Sequence, residues 1–214
     1  MRKYTMALAV LLVAGATAGY ADTITLVGPE ANHNYQQTTN SPCVIGNPSC
    51  NNPAGFNFTT IPANPSGHAY TDVLSPTYTV SQIEAIAGST AFWVGIDINQ
   101  TEAAQTLSYF AMLVNGSVVS AFGNDTTGTP VPAANNGNGY ADYLLETFNL
   151  ASYGPNATVQ FQMSMPLAND GAEQFFIIGA PAPPPPAIPE PSTIALLGSG
   201  LVGVARMIAR RSKA

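Results

Sequence analysis

The chain has 214 residues, a formal net charge of −6 and only 6 lysines and arginines. Between Asp22 and Pro189 there is not one of them: Arg2 and Lys3 precede that stretch, and Arg206, Arg210, Arg211 and Lys213 follow it, while eleven of the twelve acids lie inside it. An anionic body of this kind repels nucleic acid and anionic lipid, and with no lysine or arginine of its own it must be held by apolar burial and hydrogen bonds.

In chain order, residues 1–21 read as a secretory signal peptide. Arg2 and Lys3 supply the positive end, Met6 to Val13 the apolar run, and small residues lead to a cut after Ala21, with Ala18 as an alternative. Residues 22–69 are rich in Asn, Pro, Thr and Gly and predict loops with brief strands at Thr23–Val27 and Phe56–Thr60. Within them CVIGNPSC holds both cysteines, Cys43 and Cys50. An even, close pair in an exported chain predicts a disulfide closing a small loop. VSQIEAIAG predicts one short helix, Gln82 to Ala87, with Ser81 and Glu84 at capping-box spacing and Gly88 as the stop.

The pattern then turns to period two. In AFWVGIDIN, Phe92, Val94, Ile96 and Ile98 alternate with Trp93, Gly95, Asp97 and Asn99, which predicts a half-buried strand. TLSYFAMLVNGSVVSAF predicts two strands joined at Asn115-Gly116, a strong hairpin dipeptide. TPVPAANNGNG reads as a loop, and YADYLLETFNL, ATVQFQMSM and EQFFII as further strands. Many short strands with little helix predict a mostly β protein: a single antiparallel, jelly-roll-like β-sandwich ectodomain over residues 22–179, with one short helix. Residues 180–188 form a proline-rich spacer that favours extended polyproline II.

After the spacer comes Pro189-Glu190-Pro191-Ser192-Thr193, then the apolar stretch Ile194 to Ala209 with Arg206 inside it, then Arg210, Arg211 and Lys213. The apolar stretch predicts a short transmembrane helix with the basic residues as its cytoplasmic stop. Residues 189–214, taken in that order, closely resemble the PEP-CTERM sorting signal of Gram-negative bacteria. The resemblance implies that an exosortase, a membrane cysteine transpeptidase or protease, reads Pro189, Glu190 and Pro191. It further implies processing near them and association with exopolysaccharide and biofilm. Arg206 departs from the family pattern by falling ahead of the terminal basic cluster. GIDINQT and NDGAEQFF also resemble ectodomains that precede this tail, for which the resemblance implies no chemistry.

Signals of catalysis are weak. His33 and His68 lie in the loop-like ANHNY and SGHAY with no nucleophile motif around them, and no carboxylate pair is marked, so no enzyme is expected. GSGLVG, residues 198–203, matches a dinucleotide-binding pattern but lacks the strand, helix and acid around it. Calcium is the one cofactor the residue types suit. Asp97, Asn99, Asp170 and Glu173 are its candidate ligands, with Asn124, Asp125 and Asp142 as further oxygen donors, and the same side chains serve equally as turn caps. Trp93 is the candidate carbohydrate contact, with Tyr109, Tyr140 and Tyr143 as additional rings, unless another element packs over it. The expectation is thus an exported surface or extracellular-matrix protein. Its partners would be export machinery, an exosortase, the inner membrane in transit, and exopolysaccharide. The alternative is a carbohydrate-binding module stiffened by calcium.

Overall fold

The alternating runs form strands, and the strands pair into two six-stranded sheets and one two-stranded sheet. The structure is a computed structural model and describes residues 22–30, 32–62, 69–99, 105–123, 128–134, 137–166 and 171–181. The chain divides into Met1–Ala180 and Pro181–Ala214; the signal segment, His68, Asn124, Asp125, Asp170, GSGLVG and the whole tail lie outside the described residues.

The first sheet runs β1 (Asp22–Thr23), β10 (Ser117–Gly123), β9 (Tyr109–Val114), β13 (Thr158–Met165) and β5 (Tyr70–Leu74), with β6 (Tyr78–Thr79) also on β13. The second runs β2 (Thr25–Val27), β12 (Tyr143–Asn149), β7 (Ala91–Asp97), β14 (Gln174–Gly179), β3 (Cys43–Gly46) and β4 (Thr59–Thr60). A small pair joins β8 (Gln105–Leu107) to β11 (Thr129–Val131). Neither large sheet closes into a barrel. Pairing is antiparallel except for β1 on β10 and β3 on β4, which are parallel.

Aromatic side chains join the two large sheets. Phe110 of the first stacks on Phe175 of the second at 5.4 Å, and Phe161 meets Phe92 edge-on at 6.1 Å. All four rings are fully buried, as is Phe148. Each such burial contributes about 1.5–3 kcal/mol, so this aromatic core does what no salt bridge within the ectodomain can. The result is the predicted mostly β fold, two large sheets joined by buried rings, with one helix. The Cys43–Cys50 disulfide is present too. At the predicted hairpin, Asn115 and Gly116 take φ of 51° and 78°, the sign a type I′ turn requires.

Several expectations need correction, among them the loop read at TPVPAANNGNG, whose Thr129–Val131 pairs as β11 with β8. Thr23–Val27 is not one strand: buried Ile24 carries the chain from β1 in one sheet to β2 in the other. In Phe56–Thr60 only the last two residues pair, while Phe56 turns inward and stacks on Tyr78 at 4.5 Å. Helix α1 spans Val80–Ala87, and its capping box is Thr79 with Gln82 rather than Ser81 with Glu84. Thr79 is placed as the end of β6, which sets the helix start two residues earlier; Gly88 ends it in the left-handed region, as predicted. Finally, β7 is not half-buried. Phe92, Val94 and Ile96 enter the core, but Gly95 and Asp97 on the other face are buried as well. A second apolar cluster of Cys43, Ala141, Leu144, Phe176 and Ile178, with Tyr35 packed against it, covers that outer face.

Candidate functional site

Strand β7 connects two groups of polar residues. Near its beginning an open groove of about 380 Å³ is lined by Trp93, Asp22, Glu146, Thr147 and Asn149 among others. Register explains the gathering. Antiparallel pairing of β7 with β12 slips between Leu145 and Phe148, and Thr147 sits in the slip with φ of 79°. A β-branched residue there is strained, at a cost on the order of 1–3 kcal/mol, and bulges of this kind favour functional sites. The Thr147 hydroxyl donates to the Thr23 carbonyl at 2.9 Å, which brings β1 and Asp22 to the rim.

Trp93 is half-buried and meets the Tyr35 ring edge-on at 6.0 Å. Another element thus packs on this side chain, and it also lines the groove. Burial, and then the charge of Glu30, push the Glu146 carboxyl up from its ordinary value. The Tyr35 phenol is likewise pushed up by burial, then by Glu30 and Glu146. The rim is thus acidic and aromatic. Tyr109, Tyr140 and Tyr143 are not part of it. Tyr109 belongs to the opposite sheet, Tyr140 meets His33 edge-on at 5.0 Å, and buried Tyr143 donates its hydroxyl to the Pro132 carbonyl.

At the far end of β7 the structure brings Asp97 and Glu173 together with Asp142, and all three are buried. The Ile98 N–H donates to Asp142 Oδ2 at 2.7 Å and the Ala134 N–H to Oδ1 at 2.6 Å. The Gly139 N–H donates to Asp97 Oδ2 at 2.9 Å, while among the described residues Asp97 Oδ1 has no hydrogen-bond partner. Glu173 accepts from the Asn99 N–H on Oε2 and from the Gln105 side-chain amide on Oε1. Burial pushes Asp97 up to about 7, opposed by the Gly139 N–H and reinforced by the charge of Asp142. Burial pushes Glu173 up to about 8, opposed by its two N–H donors and reinforced by Asp97 and Asp142.

Asn99 sits beside this cluster, hemmed in by two glycines: a Cβ on Gly137 would lie 2.3 Å from its Oδ1, and one on Gly171 would lie 1.7 Å from its Nδ2. Of the four calcium candidates, Asp97, Asn99 and Glu173 therefore gather at one end of the sandwich, and Asp170 lies outside the described residues. Among the described residues no three His, Cys, Asp or Glu side chains are placed to hold one metal ion. Sequence reading did not single out Asp22, Glu146, Thr147 or Asn149 for the groove. Only a register slip that pattern does not reveal puts them beside Trp93.

The groove and the cluster belong to the sandwich; the address lies after it. Residues 187–211 match the family model of the PEP-CTERM protein-sorting motif. The chain is therefore a protein with a C-terminal sorting signal, one marked for export and membrane-associated processing. In that sense it is a PEP-CTERM protein, with an exosortase as the implied recogniser. The match covers the tail and leaves the sandwich without an assigned relative. No curated protein and no solved structure matches the chain. Among the described residues no helix is long and apolar enough to cross a membrane, and Ile194 to Ala209 lie outside them.

Proposed function

We propose that this protein is an exported surface or extracellular-matrix component, delivered by exosortase processing and associated with exopolysaccharide. The motif at residues 187–211 carries the reading. In it, Pro189, Glu190 and Pro191 are the residues read, and Arg206, Arg210, Arg211 and Lys213 stop the apolar stretch in the inner membrane until they are read. An N-terminal signal through Ala21 starts export, and the sandwich works outside the cell. Replacing Pro189, Glu190 and Pro191 by alanine tests it. The variant should accumulate in the inner-membrane fraction while the unaltered protein reaches the surface or medium. Equal delivery of both would overturn the reading.

A second reading, that the sandwich itself binds carbohydrate, is favoured by the groove. A half-buried tryptophan beside carboxylate and amide side chains offers a ring for the apolar face of a sugar and acceptors for its hydroxyls. Trp93→Ala should abolish binding to a glycan array while circular dichroism stays unchanged. Unaltered binding by that variant would remove Trp93 and its groove from this reading, and no binding by the unaltered protein would overturn it.

A further inference from the structure

The groove beside Trp93 is built at the first strand of the sandwich. Asp22 lines it together with Glu146, Thr147 and Asn149. Neighbouring contacts fix Asp22 there. It pairs with Ser120 in the parallel β1–β10 ladder, the Thr23 carbonyl accepts the Thr147 hydroxyl at 2.9 Å, and the Ile24 N–H donates to the Ala121 carbonyl at 2.9 Å. Ile24 is buried, an apolar anchor two residues from the rim. The charge of the groove is one-sided. Asp22 and Glu146 are both acids, and the Glu30 charge adds to burial in pushing the Glu146 carboxyl up. No lysine or arginine lies between Asp22 and Pro189 to answer them. His33 is engaged with Tyr140 and Asn138. With the Thr147 hydroxyl held by the Thr23 carbonyl, carboxylate acceptors dominate the rim, while saccharide oxygens need donors as well.

We propose that removal of the leader supplies the cation: the α-ammonium of Asp22 stands at the rim, pairs with Glu146 and donates to the oxygens of a saccharide in the groove. The inference rests on the reading that residues 1–21 are removed on export and that the groove takes carbohydrate. The covalent step is a hydrolysis. The Ala21–Asp22 peptide bond breaks, the hydroxyl of water goes to the Ala21 carbonyl carbon, and the Asp22 nitrogen leaves as an amine. An α-amine, with an ordinary pKa of about 8, is mostly charged at pH 7. Before the cut the same nitrogen is a neutral amide with 21 residues attached. Export thus completes the groove.

The position of the cut decides whether it does so. A cut after Ala18 would leave Gly19-Tyr20-Ala21 ahead of Asp22. In extended form that segment carries the charge about 10 Å away, a full Debye length at ordinary salt. Only the cut after Ala21 fixes the ammonium beside Glu146.

The test uses the absence of lysine. Cut near Pro191, the released protein retains none, so an acetylating ester labels the α-amine alone. The mature protein and its Glu146→Gln variant are collected from the medium, the first residue is read by mass, and each is acetylated across a pH series. A carboxylate partner keeps the proton on the amine and slows labelling. At pH 7 the unaltered protein should react about 3-fold slower than Glu146→Gln. Acetylation should lower glycan-array binding about 10-fold, the loss of one charge-assisted hydrogen bond, with circular dichroism unchanged. Equal labelling rates, or a first residue other than Asp22, would overturn the inference. Full array binding after acetylation would also overturn it and leave the carbohydrate reading standing. No array binding by the untreated protein would overturn that reading instead, while the labelling rates still decide the pairing with Glu146.

Discussion

The two ends of strand β7 handle the same chemistry in opposite ways. Near Trp93 the acids Asp22 and Glu146 border an open groove and keep contact with water. Near Asp97 the acids are sealed under loops and answered by amide N–H groups. One strand of seven residues joins the two ends, yet one end leaves its carboxylates open to solvent while the other uses them as internal anchors. The difference comes from what crosses the outer face of the second sheet. At the groove a register slip opens the edge around Thr147; at the cluster Gly137 and Gly171 let the loops close tightly on Asn99. A carboxylate in this lysine-free and arginine-free body is therefore a surface group or a structural one according to the loops above it.

Substitutions at both ends would break or sharpen that contrast. The largest effect is expected from Asp142→Ala, which strands the buried Ile98 N–H and takes the acceptor from the N–H of exposed Ala134. At about 1–3 kcal/mol for the stranded buried group and about 1 kcal/mol for the other bond, it should cost roughly 2–4 kcal/mol in denaturant unfolding. With Asp97 raised from 3.8 to about 7 and Glu173 from 4.5 to about 8, the folded chain holds protons that the unfolded chain has released, so stability falls as pH rises through 7 to 8. Asp142→Ala should move that fall to lower pH, because Asp97 and Glu173 lose a repelling neighbour. Asp97→Asn comes next: near-neutral at pH 5, it should melt higher than wild type at pH 9. Trp93→Ala, at a half-buried position, should cost only about 1 kcal/mol while removing the glycan binding proposed for the groove. Smallest is Glu146→Gln, which relieves repulsion with Glu30 at the rim and should change unfolding free energy by less than about 0.5 kcal/mol. A cost above 2 kcal/mol there would erase the distinction between the two ends.

Local signals were readable wherever a short-range rule decides the outcome. Asn115-Gly116 made its hairpin, Gly88 stopped its helix, and Cys43 found Cys50 seven residues away. What pattern could not reveal depends on long-range placement. Ser81 and Thr79 both precede an apolar helix face, and the strand ending at Thr79 chose between them. The covering of β7 comes from residues such as Tyr35 and Cys43, some fifty positions earlier in the chain. The carboxylate cluster draws on bonds across 44 and 74 residues. It did leave a trace in the sequence. Asp97 lies between Ile96 and Ile98, Asp142 between Ala141 and Tyr143, and Glu173 just ahead of Phe175 and Phe176. Acids inside apolar runs, in a stretch with no basic residue, are the pattern from which a buried cluster could have been inferred. For the groove no comparable signal exists, since Thr147 is placed by the slip and not by its neighbours in sequence. The tail was legible as an ordered motif, apolar stretch and basic end, and the match at residues 187–211 agrees.

In the proposed function this sandwich is cargo, cut from its address after export. Intact mass of the protein from cell envelope and from culture supernatant tests it most directly. The mature species should lack Met1–Ala21 and the segment after about Pro191. A species that retains Ile194 to Ala214 in both fractions would contradict it and make the tail a permanent anchor.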